Sequence, residues 1–172
     1  MKKFSFQNDV LPLKDKLFRL ALRITLNRQD AEDIVQETLL RMWKTMRNAE
    51  SGTGEAIDNL EAFALTTCRN LSLDLGERME HRNISFDSEQ HDQAADSTWS
   101  PYERLVSDER YTQLNRLVNA LPEKQRTALQ LRDMEGRSYR EIAEVMQISE
   151  SDVKINIFRA RKKIKESWIT NT

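Results

Sequence analysis

Two helix starts lie eleven residues apart near the end of this chain, at Ser138 and Ser149. Each serine can accept a hydrogen bond from a free first-turn N–H, and an acidic residue follows three positions on. Glu141 fits the capping-box pattern, and Asp152 is a shorter version of it. A helix beginning at Tyr139 must therefore stop by about Met146, where Ile142, Ala143 and Met146 give it one apolar face. After a three-residue turn a longer helix places Val153, Ile157, Ala160 and Ile164 at helical spacing. Two short-coupled helices of this kind form a helix-turn-helix, whose second helix commonly enters a DNA major groove.

The outward side of that second helix carries Lys154, Ile155, Phe158, Arg159 and Lys162. Between Lys154 and Lys165 every charge is basic, which suits a phosphate backbone. The plainer alternative is a solvated terminal helix of an ordinary bundle, since basic amphipathic helices are common.

With only four Gly and three Pro in 172 residues, and no sustained alternating pattern, the chain reads as all-α. That length allows one medium domain or two small ones. The net charge of −1 conceals an uneven layout. Acid gathers at Asp30–Glu37 and Asp87–Glu103 and base near the C-terminus, so the two ends suit different partners. A lone Cys68 excludes an intrachain disulfide and reads as a small core group. No signal-like segment and no apolar run of ~20 residues occurs, so a cytoplasmic protein without membrane insertion is expected.

In chain order, Leu13, Leu17, Leu20, Ala21 and Ile24 mark a first helix over residues 12–26. Asn27 caps a second over Arg28–Arg47, with Ala31, Ile34, Val35, Leu39, Met42 and Met46 inward. Its other face carries Asp33, Gln36 and Glu37 with Leu40 and Trp43. Acid in the first turn serves the helix dipole, which accounts for Asp30 and Glu32 but not for Glu37. Trp43 suits an interface hot spot and, on periodicity alone, a core position equally. Residues 48–59 read as a loop. A third helix follows from Leu60 to about Met79, with Leu60, Phe63, Ala64, Thr67, Leu71 and Leu75 as its expected apolar side.

From Asn83 to Glu103 the periodicity stops, and five acids stand without a Lys or Arg. That composition predicts a flexible acidic linker over 85–103, between helical domains at 1–84 and 104–172. In the second domain one helix runs from Leu105 to Leu121, and another starts at Pro122 and ends at Gly136. No nucleophile–base pair, phosphate-cradling glycine loop or metal-ligand cluster is present in the sequence, so neither catalysis, a cofactor nor a metal is indicated.

Three stretches together resemble the sigma factors of bacterial RNA polymerase, in particular the small two-domain extracytoplasmic-function type of the sigma-70 family. They are DAEDIVQETLLRMWK from Asp30 to Lys44, RNLSLD from Arg69 to Asp74, and the run from Leu121 through SYREIA at Ser138–Ala143 to FRAR at Phe158–Arg161. The resemblance implies a non-enzymatic subunit that binds core polymerase and directs it to promoters, acting as a monomer within the holoenzyme.

By matching positions, the resemblance assigns Asp33, Gln36, Glu37 and Trp43 to the coiled coil of the β′ clamp, and the second domain to the β flap. It implies capture of a flipped minus-10 base at Asn70, with the 48–59 loop forming the pocket and Arg69, Asp74 and Arg78 nearby. It implies minus-35 reading by Lys154, Ile155, Phe158 and Arg159, with Arg132, Tyr139, Arg140 and Lys162 also on the DNA. Glu77 and Arg78 stand where the family has a strongly basic run, and Asp152, Ile155 and Asn156 also depart from its pattern. An upstream preference unlike the family's commonest one is therefore expected. An anti-sigma partner is usual in the family. The acidic helix beside Trp43 distinguishes this reading from a free-standing helix-turn-helix regulator that binds duplex DNA by itself. A helical adaptor that does not bind DNA is a third reading.

Overall fold

In the computed structural model, the described residues are 4–52, 54, 57–81 and 101–170, with side chains at 80–81 and 101–108 left aside. Every regular element among them is helical. The chain divides into two compact units, Met1–Ser85 with Glu144–Gln147, and Phe86–Ala143 with Ile148–Thr172.

The first unit is a bundle of three mutually packed helices, α1 (Lys14–Thr25), α2 (Arg28–Glu50) and α3 (Leu60–His81). A π turn at Phe6–Val10 and a 3-10 turn at Leu11–Leu13 lead into it and bury Val10. Leu17, Leu20 and Met42 are fully buried in its core. Each such side chain contributes about 1.5–3 kcal/mol relative to exposure. α1 closes on Leu26, whose φ of 58° is left-handed and whose N–H reaches the Leu22 carbonyl at 2.8 Å. For a residue with a Cβ that conformation costs about 1–2 kcal/mol, and the packing around it must over-determine it. α2 starts where Asn27 Oδ1 accepts the Asp30 N–H at 3.0 Å. It continues three residues beyond the expected end at Arg47, which shortens the following loop.

α3 differs from the expectation. Its buried side is Leu60, Ala62, Ala64, Leu65, Cys68, Arg69 and Ser72, whereas Phe63 is 37% exposed and Thr67 half-buried. Small side chains let a helix approach its neighbours closely, so Ala, Cys and Ser form the contact and the larger Phe63 turns outward. Ser72 is tolerated inside because its hydroxyl donates to the Cys68 carbonyl at 2.8 Å. Gly76 does not end the helix.

The second unit comprises α4 (Pro101–Asn119), α5 (Glu123–Leu129), the first part of α6 (Tyr139–Met146) and α7 (Glu150–Thr170). Helix α4 takes in the last three residues of the expected linker, most of which falls outside the described residues. Val118, Leu121, Leu129 and Ala160 form the core, with Leu114 and Ile164 against it. Arg126 donates to the Asn119 and Leu121 carbonyls at 3.2 and 3.0 Å, answering backbone acceptors at and just beyond the C-terminus of α4. α5 ends in a π turn, Gln130–Met134, rather than continuing as α-helix to Glu135. Gly136, at φ 67°, then reverses the chain.

Candidate protein and nucleic-acid interfaces

Helix α2 buries Ala31, Ile34, Val35, Thr38 and Met42. Thr38 accepts this place because its hydroxyl donates to the Ile34 carbonyl at 2.7 Å. Burial of that face leaves Asp33, Gln36, Glu37, Leu40, Trp43 and Lys44 outward. Leu40 is 45% and Trp43 42% exposed, so Trp43 belongs to the surface and not to the core. The Arg47 guanidinium lies 5.2 Å from the Trp43 ring, and Arg41 pairs with Glu37 at 3.1 Å. Such exposed pairs contribute little to stability, yet they order the carboxylate. Partial burial, and then the neighbouring Asp33, hold the Asp30 carboxyl above its ordinary range. The face is thus an apolar pair with Asp33 and Glu37 on one side and Arg41, Lys44 and Arg47 interleaved.

Along α3, Phe63, Thr67, Asn70, Asp74 and Arg78 follow one another at intervals of three or four and lie along one side. Asn70, Asp74 and Arg78 are exposed, while Arg69 is 7% exposed. Of the loop expected at 48–59, residues 53, 55 and 56 are outside the described residues.

In the second unit both serines cap as the spacing predicts. Ser138 Oγ accepts the Glu141 N–H at 3.1 Å and donates to the Glu141 carboxylate at 3.0 Å. Ser149 Oγ accepts the Asp152 N–H at 3.1 Å. The turn between them passes through Gln147 at φ 57°. With Val153, Ile157 and Ala160 buried, α7 presents Lys154, Ile155, Phe158, Arg159 and Lys162 to solvent. Phe158 is 67% and Ile155 44% exposed. An exposed phenyl ring among cations is costly unless a partner covers it, since it leaves apolar area in water.

Arg132 and Tyr139 join the same surface. The Arg132 guanidinium sits 4.2 Å from the centre of the Tyr139 ring and donates to the Arg137 carbonyl at 2.9 Å. Lys154 Nζ stands 5.5 Å from the same ring, and Arg140 is exposed nearby in sequence. Asp133 and Arg161, absent from the sequence-based assignment, form a bidentate pair at 2.6 and 3.3 Å. They are 28 residues apart, and no local pattern connects them. Among the described residues no cluster of three or more His, Cys, Asp or Glu is placed to hold a metal. None of their helices is long and apolar enough to cross a membrane.

Comparison with known proteins gives the same division. Residues 10–79 match the model of sigma-70 region 2, and residues 111–164 that of sigma-70 region 4. The RNA polymerase sigma-H factor of Pseudomonas aeruginosa is 31% identical over 94% of this chain and 85% of its own. The ECF RNA polymerase sigma factor SigE of Mycolicibacterium smegmatis is 30% identical over 88% of this chain, which spans 57% of that protein. The fold resembles the sigma factor RpoE of Bartonella quintana, solved with the anti-sigma factor NepR. The TM-score is 0.71 at 24% identity, covering 94% of each chain. CnrH, solved with the cytosolic domain of CnrY, gives 0.67 at 18% identity over 97% of this chain and 89% of that one. The chain belongs to the extracytoplasmic-function group of the sigma-70 family, the factors that direct core RNA polymerase to specific promoters.

Proposed function

We propose that the outward faces of α2, α3 and α7 divide the work of promoter-specific initiation between them. The observation that carries this reading is the pairing of exposed apolar groups with charge that differs between the faces. Leu40 and Trp43 stand beside Asp33 and Glu37, whereas Ile155 and Phe158 stand among Lys154, Arg159 and Lys162. The carboxylates beside a central Trp suit a basic protein surface, and the clamp coiled coil of core polymerase is assigned to Asp33, Gln36, Glu37 and Trp43. The charges there set orientation and encounter rate, while Leu40 and Trp43 supply much of the affinity.

The basic face suits duplex DNA at the minus-35 element. Arg159 and Lys154 can read guanine O6 and N7, and Ile155 and Phe158 can meet a thymine methyl. Tyr139, Arg140 and Lys162 are assigned to phosphates and Arg132 to the flank. On α3, Asn70 is the contact for a base drawn from the minus-10 strand, with Asp74 and Arg78 along the same side; Arg69, being buried, does not join that exposed row. Unstacking a base costs a few kcal/mol, recovered by its pocket, so strand opening here proceeds by binding without catalysis.

Residues 1–84 thus serve polymerase and minus-10 contacts, 104–172 serve the minus-35 element and the β flap, and 85–103 connects them. An anti-sigma partner would hold the factor inactive by covering these faces, and the place of action is the cytoplasm, where polymerase works.

Run-off transcription from a genomic fragment library, with core polymerase alone and with the chain added, tests the reading. Specific transcripts that need the chain are expected, and the DNA upstream of their starts defines both elements. Duplex binding by the chain alone, with no added transcripts, would overturn it in favour of a free-standing regulator.

A further inference from the structure

Asp133 is a carboxylate on the surface assigned to DNA whose role there is not yet accounted for. Asp133 projects from the π turn at the end of α5 and takes two hydrogen bonds from Arg161, at 2.6 and 3.3 Å. Arg161 stands seven residues after Lys154, two turns along the same side of α7. Without a partner it would extend the row of cations formed by Lys154, Phe158's neighbour Arg159 and Lys162. Its guanidinium is instead committed, and the hydrogen bond to Asp133 raises its pKa above the ordinary arginine value.

The residue before Asp133 is Arg132, whose guanidinium lies over Tyr139 at 4.2 Å, with Lys154 on the same ring at 5.5 Å. Three cations therefore gather around one phenol ring and one carboxylate. Like charges so placed repel, and the fork of Arg161 on Asp133 both relieves that repulsion and fixes the π turn against α7.

We propose that Asp133 is a positioning residue for promoter recognition. It clamps the π turn to α7, so that Arg132 is held over Tyr139 beside Lys154, and it withholds Arg161 from the DNA phosphates. The clamp rests on the assignment of this face to duplex DNA. Sequence preference then comes from a fixed geometry, and non-specific attraction stays one cation lower than the composition of α7 would give.

Both partners are partly exposed, with side-chain exposures of 53% for Arg161 and 36% for Asp133. An exposed pair adds little to stability, so Asp133→Asn should fold normally. The test measures reconstituted holoenzyme on two promoter fragments, one with the upstream element identified by transcription and one with that element scrambled, across a salt series. Asp133→Asn is expected to lower the intact-over-scrambled preference by roughly threefold to tenfold, because the π turn that carries Arg132 is no longer tied to α7. It should also steepen the slope of log K against log salt by about 0.9, the signature of one added phosphate contact. Arg161→Gln should lower the preference similarly with the wild-type slope, and the double variant should keep that slope.

A normal slope for Asp133→Asn would overturn the withholding of Arg161, and an unchanged preference would overturn the clamp. Wild-type holoenzyme that binds both fragments equally would overturn the assignment of the face to DNA, and the clamp with it. That outcome is read without any variant.

Discussion

The outward faces of α2 and α7 are built alike but charged differently, mixed in sign on α2 and uniformly basic at the apolar pair of α7. Each places two large apolar side chains in solvent, Leu40 and Trp43 on one, Ile155 and Phe158 on the other. Each sits on a helix whose opposite side is packed into a core, so its orientation is set by burial and not by the exposed residues themselves. The difference lies in the charge around the apolar pair: on α2 the carboxylates of Asp33 and Glu37 interleave with Arg41, Lys44 and Arg47, whereas on α7 the neighbours Lys154, Arg159 and Lys162 are all cationic. The apolar area supplies attraction that is blind to chemistry, and the flanking charge selects the class of partner.

Reversing charge on one face should therefore abolish one partnership and leave the other. Asp33→Lys combined with Glu37→Lys is expected to weaken core polymerase binding by at least about a hundredfold, as juxtaposed like charges cost several kcal/mol. The helical content should be unchanged, and co-purification with core enzyme measures the loss; normal assembly would remove α2 from the docking surface. On the other helix, Arg159→Ala should cost on the order of 1–3 kcal/mol of promoter discrimination with core affinity intact. Competition between matched and altered minus-35 duplexes reads this, and an unchanged preference would reduce Arg159 to a phosphate contact. A milder effect is expected from Lys162→Ala, which should weaken binding evenly across sequences and reduce the salt slope by about 1. A sequence-dependent loss would make Lys162 a base reader.

The interior of the first unit offers a final separation of the two units, because its Cys68 is the chain's single thiol. Burial pushes that thiol from 9.0 up to about 12, and the thiol donates to the Leu17 carbonyl at 3.4 Å. Between those values the unfolded chain loses the proton while the folded unit keeps it, so stability falls as pH rises through this window. The slope is at most about 1.4 kcal/mol per pH unit. Cys68→Ala should remove this contribution, seen as a flatter dependence of the denaturation midpoint between pH 9 and 11. Equal slopes for the two proteins would show that the thiol is not protected.

Where a signal was local, the sequence carried it. Asn27, Ser138 and Ser149 cap the helices they precede, because a cap needs only its own first turn. The α3 stripe was misread for the opposite reason. Hydropathy favours Phe63 over Ala62 or Ser72, yet the site rewards close approach, and the small residues take the core. Trp43 was ambiguous because a bulky aromatic suits core and interface equally, and only the packing of its neighbours decides. The Asp133–Arg161 pair and the π turn that carries it depend on contacts distant in sequence, which no periodicity encodes.

That π turn also has a consequence for inheritance. It holds one residue more than the helical pitch around it requires, as the Glu135 N–H reaching back to the Gln130 carbonyl at 3.1 Å marks. One residue corresponds to about 100° of helical rotation. A single deletion between Gln130 and Met134 would therefore act as a change of phase, turning the segment that follows about the helix axis in addition to removing the deleted residue's own contacts. At this point in the molecule, chain length is itself a determinant of which DNA the protein can face.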